Sequence, residues 1–138
     1  MSKIDTNDYQ DFVKSTISPA SSDINVLTQR VASLFLDSQK LGVKLPELLT
    51  ASSGLSAESG EFTEIVKKIL FQGKPLDEDN IYHMKRELGD VCWYLSVACT
   101  ALNTTLEDIL VMNVEKLSAR YPNGFDIIKS EVRKDGDI

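Results

Sequence analysis

No stretch of this chain alternates apolar and polar residues for long enough to line one face of a strand. Apolar residues recur instead at spacings of three and four. Ile24, Leu27, Val31, Leu34 and Phe35 form one such stripe, running to about Lys40, and Asp23 stands before it as an N-cap. A shorter helix is predicted over residues 5–16, ending before "SPASSD". "LGVKLP" breaks the chain, and Pro46 suits the first turn of a third helix running from about Pro46 to Phe71. Its segment "ASSG" is poor helix material, so a kink or irregular turn is expected near Gly54. After the loop "FQGKPLDEDN", a fourth helix starts between Asp77 and Asn80. Its second half is apolar almost all round, which predicts a central, buried element. Thr104 and Glu107 form a capping box for a fifth helix, "LEDILVMNVEKLSAR", which Pro122 ends. The charged tail over 129–138 is expected to be mobile. The expected fold is all-α, a bundle of about five helices in a single domain over 1–138.

Composition fits that expectation. The 138 residues are 42% hydrophobic and 26% charged, enough apolar material for a core. No apolar run approaches the ~20 residues that span a bilayer, and the N-terminus shows no signal-peptide pattern. Cys92 and Cys99 are seven apart in a helical segment, about 10 Å by helical rise, which is too far for a mutual disulfide. They read as small core residues. A cytoplasmic location is expected. The net charge of -6 argues against nucleic-acid or anionic-membrane partners.

Two motifs stand out, "ESGE" at 58–61 and "ELGD" at 87–90. Residues three apart share a helix face, so Glu58 pairs with Glu61 and Glu87 with Asp90. A single acid pair is usually just a solvated helix face; Asp5/Asp8, Asp8/Asp11 and Glu61/Glu64 occur here too. Two glycine-containing pairs inside amphipathic helices are more specific. If the helices lie side by side, four carboxylates converge, and hard cations such as Mg²⁺ or Mn²⁺ would relieve their repulsion. Gly60 and Gly89 each precede the second acid and are expected to lie at helix–helix contacts, where a missing Cβ lets helices approach. Asn113, Lys116 and Arg120 share a face of the fifth helix and would suit an anionic ligand, or else are surface charges near a helix C-terminus.

"GLSAESGEFTEIVKK", "ELGDVCWYL" and "NVEKLSARYP" together resemble the MazG-type nucleoside triphosphate pyrophosphohydrolases, particularly small phage-type members of this all-α NTP pyrophosphatase superfamily. The resemblance covers a core of about 46–125. It implies metal binding by Glu58, Glu61, Glu87 and Asp90, with two or more Mg²⁺ ions per site and Mn²⁺ as a substitute. Glu61 and Glu58 would be catalytic, and Glu61 would orient or deprotonate the water. Asn113, Lys116, Arg120 and Tyr94 would bind the nucleotide and its phosphates; Lys68, on the acidic face, would contact phosphate or a carboxylate. The implied reaction converts a (d)NTP to the monophosphate and pyrophosphate, with metal-activated water attacking the α-phosphorus. Relatives form dimers or tetramers, so a homodimer or homotetramer is expected.

Two alternatives stand beside this reading: a phosphoribosyl-ATP pyrophosphohydrolase-like enzyme, and a non-catalytic nucleotide-binding helical regulator. His83, the sole histidine, lacks the Glu-x-x-His spacing of a di-iron bundle. Trp93 reads as a core or interface residue rather than a base-stacking one.

Overall fold

The computed structural model describes residues 5–132. Among these, 81% are helical and none lies in a strand; of seven helices, five are long. The five match the predicted ones in place and order. The chain divides into two compact units, Met1–Leu41 and Gly42–Ile138.

In the first unit are α1 (Thr6–Thr16), α2 (Pro19–Ser22) and α3 (Ile24–Leu41). Asp5 caps α1 by accepting from the Asn7 N–H at 2.8 Å, and Asp23 does the same for Asn25 at the start of α3. The single turn α2 packs on α3. The apolar side chains of α1 and α3, among them Phe12, Val31 and Phe35, are largely exposed.

The second unit is built on α4 (Leu45–Phe71) and α5 (Glu78–Ala101), packed side by side and antiparallel. Pro46 sits in the first turn of α4, as expected. Gly73, in the left-handed region at φ 71°, turns the chain so that the Lys74 N–H reaches back to the Lys68 carbonyl at 3.1 Å. The Asn80 side chain donates to the Pro75 carbonyl, and its N–H donates to Asp77, which closes the loop onto α5. At the far end the Lys44 N–H donates to the Ala101 carbonyl at 2.9 Å, tying the start of α4 to the end of α5.

Between these ends the helices touch at Gly54. A Cβ there would lie 2.2 Å from the Tyr94 ring. Gly54 is therefore not the site of a break, and α4 runs through "ASSG" without one. The residue is a seat for an aromatic ring. Gly60 and Gly89 do not have the expected role: a Cβ on either meets nothing within 4 Å, and both are exposed.

α6 (Leu106–Arg120) leaves α5 at 95°. Its capping box is one residue later than predicted, Thr105 with Asp108 instead of Thr104 with Glu107. Both registers satisfy Thr-x-x-acid; Asn103, at φ 54°, turns the chain just before them. The Thr105 hydroxyl, then the Thr105 N–H, hold the Asp108 carboxyl below its usual pKa. Pro122 follows α6 as expected, and α7 (Ile127–Glu131), capped by Asp126, occupies part of the predicted tail. Residues 133–138 of that tail lie outside the described residues.

The core is small. Among the described residues, Ala51, Ile65, Cys99 and Ala101 are the buried apolar ones. The prediction of a buried α5 holds on one side only. Cys99 is buried, but Cys92, Leu88 and Trp93 are exposed, because α4 covers a single face of α5. Among the described residues no single helix is long and apolar enough to cross a membrane.

The glycines should separate in stability measurements. Gly54→Ala forces Tyr94 off its seat and should destabilise by about 1–3 kcal/mol, an overpacking cost. Gly60→Ala and Gly89→Ala should gain up to ~1 kcal/mol from helix propensity. Thermal unfolding followed by circular dichroism measures all three, and an unchanged melting temperature in Gly54→Ala would show that the ring contact is not limiting.

Candidate functional site

The antiparallel register brings "ESGE" on α4 opposite "ELGD" on α5. One carboxylate oxygen from each of Glu58, Glu61 and Glu87 lies within 4.8 Å of the others. The three side chains are graded in exposure: Glu87 is buried at 6%, Glu58 is half-buried and Glu61 is exposed. Asp90, one turn beyond Glu87, is exposed and stands outside this closest group. Its charge still reaches the cluster. Desolvation, then Glu61, Asp90 and Glu87 in that order, push the Glu58 pKa upward.

Such a group of acids is poorly balanced by itself. Among the described residues no lysine or arginine forms an ion pair with Glu58, Glu61, Glu87 or Asp90. The donor set is all hard oxygen, which suits Mg²⁺ or Mn²⁺. Two oxygens on one Mg²⁺ sit about 4 Å apart at most, so closing 4.8 Å onto one ion takes a side-chain shift of roughly half an ångström. The acids therefore fit a divalent cation.

The structure adds a neighbour that the sequence reading passed over. His83 Nε2 lies 3.4 Å from Glu87 Oε1, one turn earlier on α5. The i,i+4 spacing could have exposed this pairing, which the search for a di-iron pattern hid. Tyr94 is one turn after Asp90 on α5, with its ring on Gly54 and in edge contact with Trp93. Lys68 is engaged by Glu64, at 3.2 Å from its Oε1. Lys67 also bonds to Glu64; the Lys67 bond, then the Lys68 bond, lowers the Glu64 pKa.

Asn113 and Lys116 are exposed on α6, and no hydrogen bond or ion pair joins them to the four acids among the described residues. The Arg120 guanidinium lies 5.9 Å from the centroid of the Tyr121 ring. Within one chain, then, α4 and α5 assemble the acids and Tyr94, while α6 carries its three polar residues on a separate helix.

The raised Glu58 pKa has a definite sign. The folded state favours protonated Glu58, so this contribution to stability is present below the ordinary carboxylate pKa. It is lost as pH rises through the elevated folded value. In chelator, Glu58→Gln should thus stabilise the chain at pH 7 relative to wild type, and the advantage should shrink as the pH is lowered through the carboxylate range. Urea unfolding at a series of pH values tests this, and an advantage independent of pH would contradict it.

Residues 47–125, more than half of the chain, match the MazG nucleotide pyrophosphohydrolase domain. The chain is also similar to the Gene 37 protein of Mycobacterium phage L5, at 35% identity over 72 residues. That alignment covers 51% of this chain and 63% of the phage protein, so it spans less than two thirds of the relative's length. No solved structure matches. The matched segment starts at Glu47 and takes in all of "ESGE", "ELGD" and α6. The chain belongs to the MazG nucleotide pyrophosphohydrolase family.

Proposed function

We propose that the chain hydrolyses (deoxy)nucleoside triphosphates to the monophosphate and pyrophosphate in a Mg²⁺-dependent reaction, with Mn²⁺ able to substitute. The observation that carries this reading is the meeting of three carboxylates from two helices within 4.8 Å, in a chain of this family. Glu58, Glu61, Glu87 and Asp90 would hold the cations. When bound, Mg²⁺ neutralises phosphate charge and acidifies water.

The remaining work falls to the side chains. Glu61 is the most exposed of the three converging acids, so it is the one best placed to orient water and take its proton. The water oxygen bonds to the α-phosphorus, the bridging oxygen to the β-phosphorus leaves, and pyrophosphate departs. Glu58, half-buried beside Glu61, would be one of the ligands to the cations that offset the phosphate charge. Glu87 is buried and flanked by His83, which suits a fixed ligand rather than a proton carrier.

Asn113, Lys116 and Arg120 would bind the phosphates and sugar from α6, with Tyr94 alongside. Lys68 would contribute only by leaving Glu64. α6 exposes Leu110, Val111, Met112 and Val114. Apolar surface on this scale favours burial against another subunit, and a homodimer or homotetramer would cover it while bringing α6 into a complete site.

Pyrophosphate release from a panel of nucleoside triphosphates, with and without Mg²⁺, tests the reaction. Turnover should need the metal, and Glu61→Ala should lower kcat at least ~100-fold, the usual scale of general-base loss, with its helical circular dichroism intact. Retained turnover in that variant would remove Glu61 from the role. Saturating Mg²⁺, at about 100 times its Kd, should stabilise the protein by about 2.7 kcal/mol through linkage. Light scattering should give the mass of an oligomer; a monomer at working concentration would refute the assembly.

A further inference from the structure

We infer that a groove at the Glu47 end of the α4–α5 pair is the subsite for the substrate's base, and that it selects guanine. The inference rests on the nucleotide reading above and adds what that site distinguishes.

The groove has a volume of about 450 Å³ and is lined by Glu47, Thr50, Trp93, Ser96, Val97 and Thr100. That lies within the range of about 300–1,000 Å³ typical of small-molecule sites. All six residues come from the two helices that carry the acids. Glu47 is eleven residues before Glu58, three helical turns, so both project from the same face of α4, about 16 Å apart along the axis. On α5, Val97 is seven residues beyond Asp90, about 10 Å. Tyr94, seated on Gly54, lies between the two regions in chain order, and Trp93, edge-on to Tyr94 at 4.8 Å and 88°, lines the near end of the groove. The order along the helix pair is acids, aromatic pair, groove. A nucleotide has the same order: phosphates, sugar, base.

The lining has a chemical bias. The Thr50 hydroxyl donates to the Pro46 carbonyl at 3.0 Å, Ser96 to Cys92 at 2.9 Å and Thr100 to Ser96 at 3.1 Å. Each hydroxyl proton is thus spent on its own helix, so the hydroxyl oxygens meet a ligand as acceptors. Glu47 is an acceptor as well. Its Oε1 lies 3.6 Å from Lys44 Nζ; its Oε2 is shielded from solvent and has no hydrogen-bond partner among the described residues. A shielded acceptor without a donor is unfavourable, and the terminal torsion of glutamate is soft enough to turn it into the groove. Trp93, 58% exposed, offers a ring face for stacking.

The groove is largely apolar, and the few polar atoms that line it are acceptors; beside an aromatic face they favour the base edge richest in donors. Guanine presents N1–H and the N2 amino group side by side, matching the two oxygens of a carboxylate. Adenine and cytosine each set one amino group beside a ring-nitrogen acceptor. Uracil and thymine set one N–H between two carbonyls. Only guanine meets both carboxylate oxygens without repulsion.

The test compares kcat/KM for dGTP, dATP, dCTP and dTTP in the full chain with Mg²⁺. dGTP should lead by about tenfold or more, the net worth of roughly one hydrogen bond. Glu47→Gln should collapse the ratio of dGTP to dATP by about tenfold, and Thr50→Val should reduce it in the same direction. Trp93→Ala should raise KM for all four, while inhibition by inorganic tripolyphosphate, which has no base, stays unchanged. Thermal unfolding checks that each variant is folded. Equal kcat/KM for the four bases, or an equal loss for all of them in Glu47→Gln, would overturn the subsite and leave the hydrolase reading standing. A change in oligomer mass in Trp93→Ala without a change in KM would make the groove a subunit contact and also overturn it. No turnover of any triphosphate would instead strike at the hydrolase reading itself.

Discussion

The contact between Tyr94 and Gly54 sets the register of α4 against α5, and the functional geometry depends on that register. The ring fits because no Cβ occupies the space. With this pair fixed, Lys44 meets Ala101 at one end, and Glu58 and Glu61 meet Glu87 on the other side. A slip by one residue would rotate the facing side chains by about 100° and scatter the carboxylates. A steric fit between an aromatic ring and a bare backbone thus holds together groups that electrostatics would separate.

Those groups carry an opposing tendency. Desolvation, and after it the like charges of the neighbouring acids, pushes the Glu58 pKa upward, since both disfavour ionisation. The helix pair supplies the energy that keeps them together. A compact, multiply charged ligand, cation and phosphate together, can relieve this repulsion in a way that side chains of the same cluster cannot. The acids themselves differ in exposure. Buried Glu87 has the least freedom, and exposed Glu61 has the most contact with arriving solvent.

Local signals made much of this legible. The five long helices followed from three- and four-residue spacing, and Asp23, Pro46, Asp77 and Pro122 marked boundaries that the structure places where they were read. The i,i+3 geometry put each acid pair on one helix face and left the meeting of "ESGE" and "ELGD" conditional on side-by-side helices; of the four acids expected to converge, Glu58, Glu61 and Glu87 form the close group and Asp90 stands outside it. What local pattern could not give was anything set by the partner helix. Gly60 and Gly89 look like contact glycines because they lie inside the motifs, yet Gly54 makes the contact, and only the register identifies it. The capping box of α6 shifted by one residue because two overlapping Thr-x-x-acid pairs competed. α5 read as buried because it is apolar on several sides, although α4 covers only one of them. His83 and Glu47 went unremarked for a related reason: what marks them is a neighbour, Glu87 one turn away for His83 and the α5 residues across the groove for Glu47.

The connection between α4 and α5 carries a consequence for how the site comes into being. Only residues 72–77 separate the two helices, with Gly73 and the Asn80 bonds shaping the turn. Pairings between such near neighbours in sequence form early, because little chain entropy is lost in closing a short loop. A short connection of this kind favours early pairing of α4 with α5, and so early approach of the carboxylates, ahead of α6. Repulsion among them then opposes nucleation itself, and the ionic composition of the medium bears on how fast the chain folds as well as on how stable it is once folded.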